Sequence, residues 1–126
     1  MTVKLNHTIV AARDSQKSAL FLSEILGLES PVVLGPFALV SVGDGLTLDF
    51  MQAEADVVSQ HYAFLVSEAE FDEIFGRVQA RGLDHWADPA HRRKGEINHN
   101  DGGRGVYFND PAGHYLEILT RPYGGA

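Results

Sequence analysis

The sequence predicts an α+β domain of two successive modules, each a strand, a helix and then a short antiparallel group of strands. Three observations predict it. Runs with strand alternation bracket two segments of helical periodicity. Both helical segments carry a capping residue in front and a glycine behind. Landmarks of the first half also recur in the second at a nearly constant spacing.

Residues Val3 to Val10 read as a strand with Leu5, His7 and Ile9 on one face by the two-residue period. Asp14 or Ser15 caps a helix running to Leu26. Its apolar stripe is Phe21, Leu22, Ile25 and Leu26, and Gly27 is its left-handed stop. After Pro31, Phe37 to Val42 reads as a strand, Gly43-Asp44-Gly45 turns the chain, and Leu46 to Met51 returns as another strand.

In the second half, Gln60 to Val66 is a strand carrying His61, Ala63 and Leu65 on one face. Ser67 and Glu70 form a capping box, Phe71, Ile74, Phe75 and Val78 follow helical spacing, and Gly82 closes that helix. A long polar loop, His85 to Gly103, leads to the strand run Val106-Tyr107-Phe108. Turn chemistry follows at Asp110-Pro111-Ala112-Gly113, then a last β-prone run from Tyr115 to Leu119. Tyr123 to Ala126 reads as a loose tail.

The spacings mark a duplication. The interval from His7 to His61 equals, to within one position, the interval between the helix-ending pairs Gly27-Leu28 and Gly82-Leu83. In the closing strands Gly45-Leu46-Thr47-Leu48-Asp49 matches Gly113-His114-Tyr115-Leu116-Glu117 at a longer interval, and the long second-half loop absorbs the difference. The 126 residues therefore read as one domain of two modules, about 1–54 and about 58–122. Each module has a His in its first strand and a carboxylate in its last. Neither half buries its sheet face alone, so the halves pack together or against a second chain.

Composition narrows the function. Ten basic residues against seventeen acidic ones, a net charge of −7, argue against nucleic acid as a partner. No apolar stretch is long enough for a membrane span, and the start lacks a basic-then-apolar signal pattern. The absence of cysteine excludes disulfides, thiolate nucleophiles and thiolate metal ligands, and fits the cytoplasm. Any metal site must then be built from His, Asp, Glu and solvent, a donor set for hard or borderline divalent ions.

Glu117, between Leu116 and Ile118, would carry a large desolvation cost in a core strand unless it met a cation, a metal or several donors. The plain alternative is that alternation turns it to water. The duplication weighs against that, because it gives His7, Asp49, His61 and Glu117 equivalent places in two similar sheets. Two imidazoles and one or two carboxylates with positions left open describe a catalytic divalent-metal site. Asp49 is one methylene shorter than Glu117, so it is either a ligand or an acceptor or general base beside the ion.

These residues carry a resemblance that covers nearly the whole chain. Leu5-Asn6-His7, the run Gln60-His61-Tyr62-Ala63-Phe64-Leu65-Val66, and Phe108-Asn109-Asp110-Pro111-Ala112-Gly113-His114-Tyr115-Leu116-Glu117 resemble the vicinal oxygen chelate superfamily. That group holds glyoxalase I, bleomycin- and fosfomycin-resistance proteins and extradiol ring-cleaving dioxygenases. The last motif, an Asp-Pro turn with Glu four residues after its Gly, is the most specific. The resemblance implies paired βαβββ modules curling into an open barrel-like mixed sheet around one divalent ion. It implies His7, His61 and Glu117 as ligands, with a chelating substrate on the open positions and the ion as Lewis acid. Glyoxalase I adds a glutamate where this chain has Asp49.

The resemblance leaves the ion open among Fe²⁺, Mn²⁺, Ni²⁺, Co²⁺ and Zn²⁺. Ring cleavage needs a redox-active Fe²⁺ or Mn²⁺, whereas isomerase or glutathione-transfer chemistry needs only a Lewis acid. A rival reading is a bleomycin-resistance-like protein that sequesters an aromatic antibiotic or natural product without chemistry. Ligand contacts are expected from Phe50, Trp86, His99, Arg104 and Tyr107, with Arg104 for an anionic group and Phe37 and Tyr115 as further aromatic wall. His85, His91 and His99 lie in a loop readable as a lid or as a solvated segment. His114 alternates to the side away from Glu117. A homodimer with small-molecule ligands completes the expectation.

Overall fold

Two sheets of the same strand order carry the two halves of the chain. The computed structural model describes residues 3–125, so Met1, Thr2 and Ala126 at the end of the expected tail lie outside it. The halves form two units, Met1–Val58 and Ser59–Ala126. Among the described residues no helix is long and apolar enough to cross a membrane.

The first unit runs β1 (His7–Ala12), α1 (Ser15–Leu26), β2 (Val32–Leu34), β3 (Phe37–Gly43) and β4 (Leu46–Gln52). Its sheet has the order β1-β4-β3-β2, with β1 parallel to β4 and the other pairs antiparallel. The helix starts where the Asp14 carboxylate accepts the Lys17 N–H. It ends where Gly27 takes φ 71°, which lets the Gly27 and Leu28 N–H groups donate back to Glu24 O and Ser23 O. Leu22 and Ile25 of α1 share one core with Val10, Val40, Leu48 and Phe50 of the strands.

The second unit repeats this with β5 (His61–Leu65), α2 (Glu68–Ala80), β6 (His85–Trp86), β7 (Gly105–Asn109) and β8 (Tyr115–Leu119), in the order β5-β8-β7-β6. The capping box is formed in full: Ser67 Oγ accepts the Glu70 N–H while the Glu70 carboxylate accepts the Ser67 N–H. At the other end Gly82 and Leu83 donate to Gln79 O and Val78 O, the same pair of bonds that closes α1. Phe71, Ile74 and Val78 of α2 are buried with Val106, Phe108, Leu116 and Ile118.

The registers carry the duplication to single residues. Ile9 of β1 lies opposite Asp49 of β4, and Ala63 of β5 lies opposite Glu117 of β8. At the other edge Val32 faces Leu39 as Trp86 faces Tyr107. Trp86 follows Val32 at the same interval that separates His61 from His7. Tyr107 follows Leu39 at the longer interval that separates Glu117 from Asp49. The net extra length therefore lies between β6 and β7.

Two expectations change. The first strand begins at His7, not Val3, because β4 begins at Leu46 and the Thr47 N–H already reaches Asn6 O; Val3 and Leu5 are exposed. The edge strands β2 and β6 add to the elements that the sequence predicts, since three and two residues are too short to show a period. The long loop is pinned by its own hydrogen bonds. Asp88 accepts the Arg92 and Arg93 N–H groups, and the buried Asn98 joins Ala87 O to the Asn100 N–H while its backbone pairs in both directions with Gly105.

Gly105 sits where a Cβ would come within 2.9 Å of Asn98 Oδ1 and 3.0 Å of its Nδ2, an amide that cannot yield without losing its own bonds. Gly105→Ala is expected to lower the unfolding free energy by about 1–3 kcal/mol, the usual cost of overpacking, as read from urea denaturation.

Candidate metal site

Alternation along β8 turns Leu116 and Ile118 towards the helix and Tyr115 and Glu117 to the opposite face. Glu117 is only 1 % exposed there. Ala63 and Tyr107 face it from the neighbouring strands, and His61 faces Tyr115. His61 Nε2 lies 3.1 Å from Glu117 Oε1, and His61 Nδ1 lies 3.0 Å from the Tyr115 carbonyl oxygen. A carbonyl only accepts, so Nδ1 carries a hydrogen, and a ring with that hydrogen alone would turn the Nε2 lone pair towards the carboxylate.

Two lone pairs facing each other at that separation repel. The contact is satisfied by a proton on Nε2 or by a cation bound to both atoms. Two ligands held at about 2.1 Å from one ion lie about 3.0–3.4 Å apart, from right-angled to tetrahedral geometry. The observed 3.1 Å falls within that range. The pair therefore fits a divalent ion, and the His61 Nδ1–H bond supplies the ring orientation such ligands need.

Two phenols complete the surroundings of Glu117. The Tyr123 hydroxyl donates across the carboxylate, 2.8 Å from Oε1 and 3.0 Å from Oε2. The Tyr107 hydroxyl lies 3.2 Å from that of Tyr123, and its ring stacks on His61 at 5.9 Å. With the Tyr123 proton turned to Glu117, Tyr107 is the donor of the pair. Burial, first, and the nearby Glu117 charge push both phenols up, so both remain donors at neutral pH. Tyr123 falls in the segment expected to be a tail: no periodicity or motif distinguishes a lone phenol after the last strand.

In the first unit His7 and Asp49 occupy the matching face, with His7 opposite Thr47 and Asp49 opposite Ile9. His7 Nδ1 lies 2.7 Å from Asn6 Oδ1, which makes Nδ1 the protonated nitrogen and leaves the Nε2 lone pair available. The half-buried Asp49 accepts the Thr47 hydroxyl at 2.8 Å. Among the described residues, no three His, Asp or Glu side chains gather into one group able to hold an ion.

The remaining expected contacts divide. Trp86 faces Tyr107 and so shares the face of Glu117. Its ring lies flat against His91 at 3.7 Å and 4°, and His91 in turn lies 5.0 Å from Tyr115. His91 holds φ 58°, a left-handed conformation uncommon for a residue with a Cβ. Asn109 alternates to the same face, and its buried Oδ1 has no hydrogen-bond partner among the described residues.

Phe50 instead belongs to the core of the first unit, because it alternates away from Asp49 to the helix side of β4. Arg104 turns to α2. It pairs with Glu68 at 2.7 Å and Asp72 at 2.8 Å and lies over the Phe71 ring, so its donors serve the helix rather than an open site. His99 is exposed at the start of the turn Asn100–Gly102. His85 meets Phe75 of α2 edge-on, and the buried His114 packs against Tyr62 and accepts the Gln60 N–H through Nδ1. Phe37 is half-buried in β3.

Comparison with known proteins places the chain in a family. A model described as the Glyoxalase/Bleomycin resistance protein/Dioxygenase superfamily matches residues 4–118. The solved structure of Oxidase ChaP-H1 is 65% identical and superposes with a TM-score of 0.96, covering 98% of this chain and 100% of the other. Glutathione transferase FosA of Serratia marcescens is 34% identical over 124 residues, 94% of this chain and 81% of the relative. Metallothiol transferase FosB of Shouchella clausii is 29% identical over 122 residues, 92% and 79% of the two chains.

The turn between β7 and β8 fixes where Glu117 points. Asp110 is buried, and its Oδ1 accepts the N–H groups of Ala112 and His114 while its own backbone pairs with His114 and Gly113. Burial pushes its carboxyl up despite those bonds. A group whose folded pKa is raised stabilises most below its unfolded value, about 3.9 for Asp, and loses that contribution as pH rises through the folded value. Asp110→Asn keeps the Oδ1 acceptor and removes the charge. Urea unfolding of both proteins across pH is expected to show wild type losing stability relative to Asp110→Asn as pH rises from about 4, until the raised value is passed.

Proposed function

The chain belongs to the Glyoxalase/Bleomycin resistance protein/Dioxygenase superfamily, and from that premise we propose a divalent-metal-dependent oxidase of a small, oxygen-chelating substrate, with dioxygen as oxidant. The observation that carries this reading is His61 Nε2 lying 3.1 Å from Glu117 Oε1, a contact that needs either a proton on Nε2 or a cation bound to both atoms. His61 and Glu117 are two ligands. His7, the counterpart of His61 in the repeat and with its own Nε2 lone pair available, is the third. Asp49 already accepts from Thr47 and acts beside the ion, as acceptor or general base.

When bound, such an ion supplies Lewis-acid polarisation and, as Fe²⁺ or Mn²⁺, redox reactivity. Oxidation is preferred to thiol transfer because the relative at 65% identity is called an oxidase, whereas the transferases stand at 34% and 29%. Tyr107 and Tyr123 hold the carboxylate. The orphaned Asn109 Oδ1 is an acceptor for a substrate hydroxyl, and the Trp86, His91 and Tyr115 rings border the same face. The reading includes a homodimer, since Ile9 and Leu65 expose apolar surface on the faces that carry His7 and His61.

Metal analysis by mass spectrometry of untagged protein tests the proposal, with His61→Ala as control. The expected result is about one equivalent of iron or manganese per chain, lost in the variant. Nickel, cobalt or zinc alone would move the chemistry from oxidation to Lewis-acid work. A metal-free protein that refuses added ions and is unchanged by His61→Ala would return the chain to the ligand-sequestering reading.

A further inference from the structure

We infer that Tyr123 is a positioning residue for Glu117: its hydroxyl sets the carboxylate plane so that Oε1 is presented to His61. The inference rests on the metal reading above and adds to it a residue outside the repeated strands.

Three observations carry it. The first is the geometry of the bond. The Tyr123 hydroxyl lies almost equally far from both carboxylate oxygens, at 2.8 and 3.0 Å. The terminal torsion of a glutamate is soft, with broad wells, so the carboxylate plane is not fixed by the side chain itself. A donor straddling both oxygens removes that freedom, because rotation of the plane would lengthen one contact or the other.

The second observation is how little else holds Tyr123. The residue is 62 % exposed, so its ring contributes little to a core, and among the described residues its hydroxyl bonds to Glu117 and Tyr107. A phenol kept for packing would bury its ring and leave the hydroxyl wet. This one is mostly exposed, and its hydroxyl bonds to Glu117 and Tyr107.

The third is the way the chain brings it back. Thr120 donates its N–H to Arg104 O and accepts the Arg104 N–H through Oγ1, which ties the residues after β8 to the entry of β7. Gly103 makes that tie possible, since a Cβ there would fall 2.5 Å from Thr120 Oγ1. The tie leaves Tyr123 a short step from a fixed point and within reach of the carboxylate.

The alternative is that the phenol competes with an ion for Glu117. Each carboxylate oxygen has two lone pairs. Tyr123 takes one side of the group, and Oε1 keeps a second direction, the one in which His61 Nε2 lies at 3.1 Å. Positioning and ligation are therefore compatible.

Manganese titration followed by the electron paramagnetic resonance of free Mn²⁺ tests this, on wild type, Tyr123→Phe and Tyr123→Ala, with urea unfolding of each metal-free protein alongside. Tyr123→Phe is expected to weaken Mn²⁺ binding by about 10-fold or more, in the range found for partners of metal ligands. Tyr123→Ala should weaken it no further, because the ring itself is mostly exposed. A variant that loses stability but binds Mn²⁺ as wild type does shows a structural role and overturns the inference, and tighter binding overturns it in favour of competition. A wild-type protein that takes up no Mn²⁺, Fe²⁺ or other divalent ion overturns this inference together with the metal reading. Equal binding by wild type and Tyr123→Phe overturns this one alone.

Discussion

A carboxylate placed in the interior of a sheet is the constraint on which the second unit depends. An ionised group taken out of water loses several kcal/mol of hydration unless its surroundings replace it. Glu117 is 1 % exposed and sits on β8, flanked by β5 and β7. No arrangement of apolar neighbours could keep it charged. What keeps it is a ring of polar groups drawn from three places: His61 from the strand beside it, Tyr107 from the strand on its other side, and Tyr123 from beyond the sheet. The folded chain thus holds a buried carboxyl group that a proton-bearing or cationic partner completes.

The two units show how one register supports two different chemistries. Asp49 stands where Glu117 stands, yet it is half-buried and takes a hydroxyl from Thr47 of its own strand. The residue matching Thr47 in the second unit is Tyr115, whose carbonyl orients His61 instead. One half has a carboxylate satisfied within its strand. The other has a buried carboxylate whose partners come from beyond its own strand.

Much of this was legible in the sequence, for physical reasons that differ by element. The helices announce themselves because caps and left-handed glycines act locally: Asp14, Ser67, Gly27 and Gly82 each do in the structure what their chemistry requires of the nearest turn. The pairing of His61 with Glu117 was legible because strand period and duplication together fix which residues share a face. Arg104 misled because the side chain's partners, Glu68 and Asp72, lie far earlier in the chain, on a helix face that the sequence does not map to it. Phe50 misled because an aromatic beside an acid in a strand necessarily points to the opposite side. Tyr123 escaped notice because its position depends on a tertiary tie, and nothing local foretells it.

The insertion between β6 and β7 has a consequence for how such a protein diversifies. Strand alternation is unforgiving: removing one residue from β8 would exchange the sides of Glu117 and Ile118 and abolish the site at once. The connection between β6 and β7 is under no such rule, and the net lengthening of the second unit relative to the first lies there. It is also the segment that lays His91 against Trp86 on the face of Glu117. That connection can therefore change length one position at a time while β8 keeps its alignment, so that what lies against the face of Glu117 is free to vary and the placement of Glu117 is not.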